Sequence, residues 1–118
     1  MIGNLIVAYD GIDVDDVFKA LADPSRRMLL DRLQQRNGQT LVELCEAIAM
    51  SRQAVTKHLG ILEGANLVVT QRKGREKLHF LNAAPIADIY DRWIGKFDRS
   101  RVEALQNLRH SLEGDTHA

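Results

Sequence analysis

The segment Ser51–Leu67 constrains the fold more than any other part of this chain, because it joins one short amphipathic helix to an immediate change of period. Val55, Leu59 and Leu62 recur at i, i+4 and i+7, so they share one side of a helix and must be buried against a core. Arg52, Gln53, Thr56 and Lys57 fall off that seam near the helix N-terminus, on the solvent side. At Asn66, a residue that tolerates the left-handed conformation ending many helices, the pattern stops. Leu67–Gln71 and Lys77–Leu81 are then β-prone. The stretch Arg72–Arg75 joins them and contains Gly74 for the turn, which predicts a two-stranded hairpin.

The residues before this segment supply its packing partners. Asp13 reads as a cap, and Val14, Val17, Phe18 and Leu21 form an apolar stripe that should end at Asp23-Pro24, because the residue before proline disfavours helix. Asp23 as N-cap and Pro24 at the first helical position open a second helix. Met28, Leu29, Leu30 and Leu33 fill its inner face, and Asn37-Gly38 ends it. Thr40 and Glu43 have capping-box spacing, so a third helix runs through Leu41, Leu44, Cys45 and Ile48 to about Ala49. Met50-Ser51 is the turn, with Ser51 as N-cap of the fourth helix. Two short helices joined so tightly make a helix-turn-helix.

Asn82–Pro85 punctuates the chain, and Pro85 opens a last helix. There Ile86, Ile89, Tyr90, Trp93, Ile94, Phe97, Ala104, Leu105, Leu108 and Leu112 keep a helical stripe. From residue 86 to residue 112 such a helix would be about 40 Å long, more than a domain of this size can cover. Tyr90, Trp93, Phe97, Leu105 and Leu108 are therefore expected at an interface, most simply with a second copy of the chain. The expected fold is mainly α with a small two-stranded β-wing: a winged helix-turn-helix of order α-α-α-α-β-β-α with a long terminal helix for dimerisation. Residues 1–12 read as an N-terminal arm, a small extra element or an extended start of the reading frame. Residues 13–82 form the winged helix-turn-helix domain, 83–112 the dimerisation helix and 113–118 a flexible tail.

At 118 residues the chain is one domain, and 45% hydrophobic with 27% charged residues is the balance of an ordinary soluble protein. No run of about 18 apolar residues occurs, so no membrane span is expected. Leu5–Tyr9 is too short and lacks the basic leader of a secretory signal. A single cysteine, Cys45, excludes an intrachain disulfide and fits a cytoplasmic location. The formal net charge is zero, but residues 51–77 carry Arg52, Lys57, Arg72, Lys73, Arg75 and Lys77 against only Glu63 and Glu76. A basic face on a neutral body is the footprint of local phosphate binding.

Chemistry divides the work on that face. Arg52 and Gln53 can make bidentate contacts to base edges, guanidinium to guanine or amide to adenine. Thr56 can contact a base or a phosphate, and Lys57 a phosphate. Ser51 is a cap with a phosphate contact as a second role. Arg72, Lys73, Arg75 and Lys77 supply salt-dependent, sequence-independent affinity for double-stranded DNA. His58 lies nearer the Val55–Leu62 side and reads as a partly buried structural histidine. The chain has no Gly-rich phosphate loop, no G-x-S-x-G turn and no H-E-x-x-H, so an enzyme is not expected. A winged helix used as a protein-interaction module, without sequence-specific DNA binding, is the alternative. The basic cluster Arg72–Lys77 counts against it. A non-specific DNA-packaging protein would be more basic overall.

Taken in order, Ala20–Arg26, Leu44–Ile48, Ser51 with Lys57–Leu59 and Leu62, Ala65–Val68 and the Gly74-Arg75 tip resemble the ArsR/SmtB winged-helix transcriptional repressors over roughly residues 13–82. The family usually has glycine where this chain has Asn66. The resemblance implies a homodimer whose recognition helices enter successive major grooves of a palindromic operator, and which releases DNA on binding an effector. Many such proteins sense metals through a Glu-Leu-Cys-x-Cys pattern on the third helix. Here that stretch is Glu43-Leu44-Cys45-Glu46-Ala47, with alanine at the second cysteine position. A second family site combines an aspartate, a histidine and a further i, i+3 pair on the last helices. Asp98 and His110 with Glu113 match in part, His117 could add a ligand, and Ser100 stands where the intervening histidine belongs. The expectation is a regulator without a metal site or cofactor, answering an effector the residues do not name or controlled by its own abundance.

Overall fold

Asp23 and Pro24 separate the first two helices, as their chemistry requires. The computed structural model describes residues 14–97 and 99–115, and the cap expected at Asp13 lies outside them. Helix α1 spans Val14–Leu21 and α2 spans Pro24–Gln35. Asp23 has extended backbone, and its carboxylate accepts hydrogen bonds from the backbone N–H groups of Ser25 (2.7 Å) and Arg26 (3.3 Å). Partial desolvation works to raise its pKa. The two N–H donors and the positive charge of Arg26 outweigh it and hold the carboxyl below its ordinary range. Arg26 then turns back: Nε donates to the Ala20 carbonyl (2.8 Å) and Nη2 to that of Lys19 (3.0 Å), satisfying carbonyls at the end of α1.

Helix α3, Leu41–Ala47, opens on the expected capping box. Thr40 Oγ1 accepts from the Glu43 N–H (3.2 Å), and the Thr40 N–H donates to Glu43 Oε1 (3.1 Å). That backbone donor, followed by the Arg36 guanidinium paired with the carboxylate, holds the Glu43 pKa below its usual value. The helix stops at Ala47, two residues earlier than its apolar pattern predicts, because Ile48 adopts extended backbone while its side chain stays in the core. Helix α4 spans Arg52–Gly64 with Ser51 as N-cap, its Oγ accepting from the Ala54 N–H at 3.1 Å. Asn66 takes a φ of 60° and the Leu67 N–H reaches the Leu62 carbonyl (2.9 Å), the 6→1 closure of a Schellman end.

The seam that defined α4 in the sequence is its buried face. Val55, Leu59 and Leu62 pack among α1, α2, α3 and the first strand, with Val17, Leu29, Leu33 and Leu44 fully enclosed around them. Each such side chain contributes about 1.5–3 kcal/mol of burial free energy. Two expected core residues lie outside it: Met28 is 50% exposed and Phe18 46%. Successive helical residues are about 100° apart, so an inner face centred on Leu29 and Leu33 leaves Met28 on the flank.

The hairpin is longer than its β-prone runs. Strand β1 spans Val68–Lys73 and β2 spans Glu76–Leu81, antiparallel, with Val68 opposite Leu81 and Lys73 opposite Glu76. Arg72 and Lys73 are thus strand residues, and the loop is only Gly74 and Arg75, with Gly74 at φ 63° in the position a two-residue turn demands. Leu67 belongs to the helix end rather than to the strand.

A feature absent from the sequence reading ties the hairpin to α2. Gln39 pairs with His79 as an isolated antiparallel bridge, with the His79 N–H on the Gln39 carbonyl at 2.8 Å. The Gln39 side chain, only 5% exposed, donates to the Arg32 (3.0 Å) and Arg36 (2.6 Å) carbonyls and so caps α2. Gln39→Leu takes this donor from the Arg36 carbonyl and leaves the Arg32 carbonyl only the Arg36 N–H at 3.1 Å. It should lower unfolding free energy by about 1–3 kcal/mol, read as a lower urea midpoint at unchanged slope. An unchanged midpoint would show that the cap contributes nothing.

The chain divides after Ile86 into two units. Its C-terminal part corrects the expectation of one continuous helix. Helix α5 spans Ala84–Ile89, a π-helical turn covers Tyr90–Ile94, and α6 runs over Arg99–Asp115. The break falls at Gly95, whose N–H bonds the carbonyl five residues back at Tyr90 and which lets the Tyr90 ring approach. Any side chain there would meet that ring and the Tyr90 carbonyl oxygen at 3.1–3.2 Å. Glycine also weakens a helix by about 1 kcal/mol against alanine. The apolar stripe is thus divided between two helical segments.

Candidate nucleic-acid interface

Helix α4 is held on three sides by packing, which leaves its N-terminal outer face to present side chains. Arg52, Gln53 and Lys57 are exposed, and their side chains make no hydrogen bond or ion pair among the described residues. Ser51 accepts as the cap, so its own hydroxyl proton remains available to a phosphate. Thr56 differs: its hydroxyl donates to the Arg52 carbonyl at 2.8 Å, so on this exposed side chain the oxygen is left to accept and the methyl group to make apolar contact. A base-edge donor or a thymine methyl suits it better than a phosphate, which offers only acceptors.

The wing alternates its charges between two faces. Arg72 stands directly opposite Lys77 on the face that carries Val68, Thr70 and His79; Lys73 stands opposite Glu76 on the other. Like charges directly opposed across a hairpin destabilise it, a cost that an anionic partner removes. Lys77 is already engaged: its Nζ lies 3.7 Å from Glu63 Oε1 on α4. Both side chains are partly exposed, so the pair is weak, but it draws Lys77 toward the helix. Arg72, Lys73 and Arg75 are exposed without such a partner among the described residues.

His58 sits behind this surface rather than on it. Its Nδ1 lies 3.3 Å from Arg26 Nη1, and since a guanidinium only donates, Nδ1 is the acceptor. The contact links α4 to the α1–α2 corner that Arg26 already caps. The sequence carries no local signal for it, because the two residues are far apart in the chain.

The second unit carries all five residues expected at an interface. Tyr90 and Trp93 lie in the π-turn, Phe97 in the bend after it, and Leu105 and Leu108 on α6. All are exposed, Leu105 most at 67%, and Leu112 continues the seam at i, i+3, i+7. Among the described residues no three His, Cys, Asp or Glu side chains gather around one point. Asp98 and His117 lie outside the described residues. Cys45 is half-buried on α3. No described helix is long and apolar enough to cross a membrane.

The chain is similar to known proteins. Residues 21–71 match a family described as a helix-turn-helix domain. The uncharacterised HTH-type transcriptional regulator YuzN of Bacillus subtilis is 41% identical over 86 residues, 68% of this chain and 94% of that one. The solved structure of an ArsR-like transcriptional regulator from Rhodococcus sp. RHA1 superposes with a TM-score of 0.63 at 31% identity, covering 80% of this chain and 91% of the other. A homodimeric winged helix-turn-helix DNA-binding domain from Mycobacterium bovis, a possible ArsR-family regulator solved by NMR, gives a TM-score of 0.58 at 26% identity. That match covers 66% of this chain and 71% of the other.

Proposed function

The chain belongs to the ArsR/SmtB-type winged helix-turn-helix transcriptional regulators, and from that premise we propose that it is a homodimeric repressor binding a palindromic operator through helix 51–63 and the basic wing 68–81. Members of this family regulate transcription and are not enzymes. The observation that carries the reading is the set Arg52, Gln53 and Lys57: exposed, uncommitted, and aimed outward from a helix whose opposite face is locked into the core. Arg52 and Gln53 read base edges in the major groove. Ser51 and Lys57 fix the helix on phosphates, and Thr56 contacts a base. Arg72, Lys73 and Arg75 extend the contact along the backbone, with Lys77 the weakest contributor because Glu63 shares it. Repression follows from occupancy of the operator, in the cytoplasm where DNA is available.

Dimerisation through Tyr90, Trp93, Phe97, Leu105 and Leu108 sets the spacing. Two recognition helices would then meet half-sites about one helical turn, ~34–36 Å, apart. The homodimeric Mycobacterium bovis domain supports pairing of two copies. Residues 13–82 would be the DNA-binding domain and 83–112 the dimerising segment, now in two helical pieces rather than one. The residues 1–12 assigned to an arm lie outside the described residues, and of 113–118, assigned to a tail, the first three continue α6 to Asp115.

The test is binding of the full chain to duplex DNA from upstream of its own gene, against a random duplex, across a salt series. Specific, salt-dependent binding by two copies per site is expected. Salt-independent or absent binding would favour the protein-interaction module instead. In the same assay, Lys73→Ala or Arg75→Ala should weaken both duplexes and reduce the log–log salt slope by about one for every phosphate that each subunit no longer neutralises. An unchanged slope would remove the wing from the interface.

A further inference from the structure

Between α3, α4 and the wing lies an open groove of about 640 Å³, within the size range of small-molecule sites. Its floor holds His79, 4% exposed. The ring's Nδ1 lies 2.9 Å from the Gln39 carbonyl oxygen; a carbonyl only accepts, so Nδ1 carries the proton. In the neutral ring Nε2 is then a bare acceptor. It has no protein partner among the described residues and keeps contact with solvent. Leu41, Val42 and Leu59 give the groove apolar walls. At its exposed edge stand Arg52 and Arg75, whose guanidiniums are unpaired among the described residues. Of the carboxylates that share the groove, Glu43 is engaged by Thr40 and Arg36, and Glu63 by Lys77. Glu76 lies across the hairpin from Lys73.

We infer that this groove is an effector site for a small carboxylic acid with an apolar body and a hydrogen-bond donor at its far end. The carboxylate matches the free guanidiniums, which bind such groups bidentately. The apolar body matches the leucine and valine walls. The donor, a hydroxyl or N–H, matches His79 Nε2. A DNA phosphate can engage the arginines but offers Nε2 of the neutral His79 ring only acceptors, so the neutral ring favours a different ligand. The regulatory consequence rests on the proposed DNA-binding role of Arg52 and Arg75: a ligand that occupies both guanidiniums takes them from the operator, so binding of acid and of DNA are mutually exclusive.

Three para-hydroxyphenyl acids that differ in chain length serve as probes: para-hydroxybenzoate, para-hydroxyphenylacetate and para-hydroxyphenylpropionate. Each is titrated into the full-length, isotope-labelled protein while the imidazole signals of His79 and the side-chain signals of Arg75 are followed by NMR. At least one should move both sets saturably, with a Kd of about 1 mM or tighter. Its analogue without the hydroxyl should bind at least roughly fivefold more weakly, and Arg75→Ala should weaken the probe at least roughly tenfold. At saturation the probe should displace operator DNA in an anisotropy assay. No saturable movement of His79 with any of the three, or an unchanged Kd in Arg75→Ala, overturns the site. Binding of the probe together with DNA overturns its regulatory role. If the protein binds no operator at all, the proposed function fails, and the NMR titration still decides the groove.

Discussion

Arg52→Ala should lower affinity for the operator by about 1–3 kcal/mol if the guanidinium reads a base edge as proposed, and relax base preference at one position in each half-site. The side chain is exposed at the first residue of α4 and bonded to nothing else among the described residues, so truncation removes the DNA interaction without damaging the fold. Far-ultraviolet circular dichroism and the thermal midpoint should stay at wild-type values while anisotropy titrations weaken. The comparison that matters is operator against random duplex. A larger effect on the operator identifies a base reader. An equal effect on both would make Arg52 a phosphate ligand and pass base reading to Gln53.

Leu105→Glu should dissociate the proposed dimer. The side chain is 67% exposed in the single chain, on a seam shared with Leu108 and Leu112. Burying a leucine against a second copy contributes about 1.5–3 kcal/mol per subunit, and an unpaired carboxylate in its place costs several more. The dimer dissociation constant should therefore rise by roughly a hundredfold or more. Operator binding should fall with it, because a lone subunit holds only one half-site. Sedimentation velocity at low concentration reads the first effect directly. A variant that remains dimeric there would move the interface away from α6, and Trp93→Glu would then test the π-turn segment separately.

These two expectations stand on different footings in the sequence. The recognition helix was legible because its signals are local: a seam at i, i+4 and i+7, a serine cap, and an asparagine able to close the end. The capping box at Thr40 and Glu43 and the Asp23-Pro24 junction were legible for the same reason, each being an interaction over three residues or fewer. The C-terminal segment was read less well. Its apolar stripe continues through Gly95, and the pattern outweighed the one residue that breaks it. The missing side chain at Gly95, together with the five-residue hydrogen bond to Tyr90, turns one rod into two pieces.

The wing shows the same division on a smaller scale. Its existence followed from two β-prone runs and a glycine, but its register did not, because turn length fixes register and the basic residues beside Gly74 read equally as loop or strand. Once Arg72 is placed opposite Lys77, and Lys77 beside Glu63, four similar cations separate into three uncommitted ones and one shared with an acid.

By itself the sequence determined the element order as far as the wing, the caps at Asp23, Thr40 and Ser51, the buried face of α4 and the polarity of its outer face, all through interactions between residues a turn or two apart. Only the tertiary structure decided what lies behind that surface. Gln39 caps α2 and carries His79, forty residues away, at the floor of a groove; Arg26 reaches His58 across thirty-two. Such pairings leave no periodicity and no cap signature. They arise where packed elements bring polar groups within reach of each other, and the atoms turned away from water find their partners there.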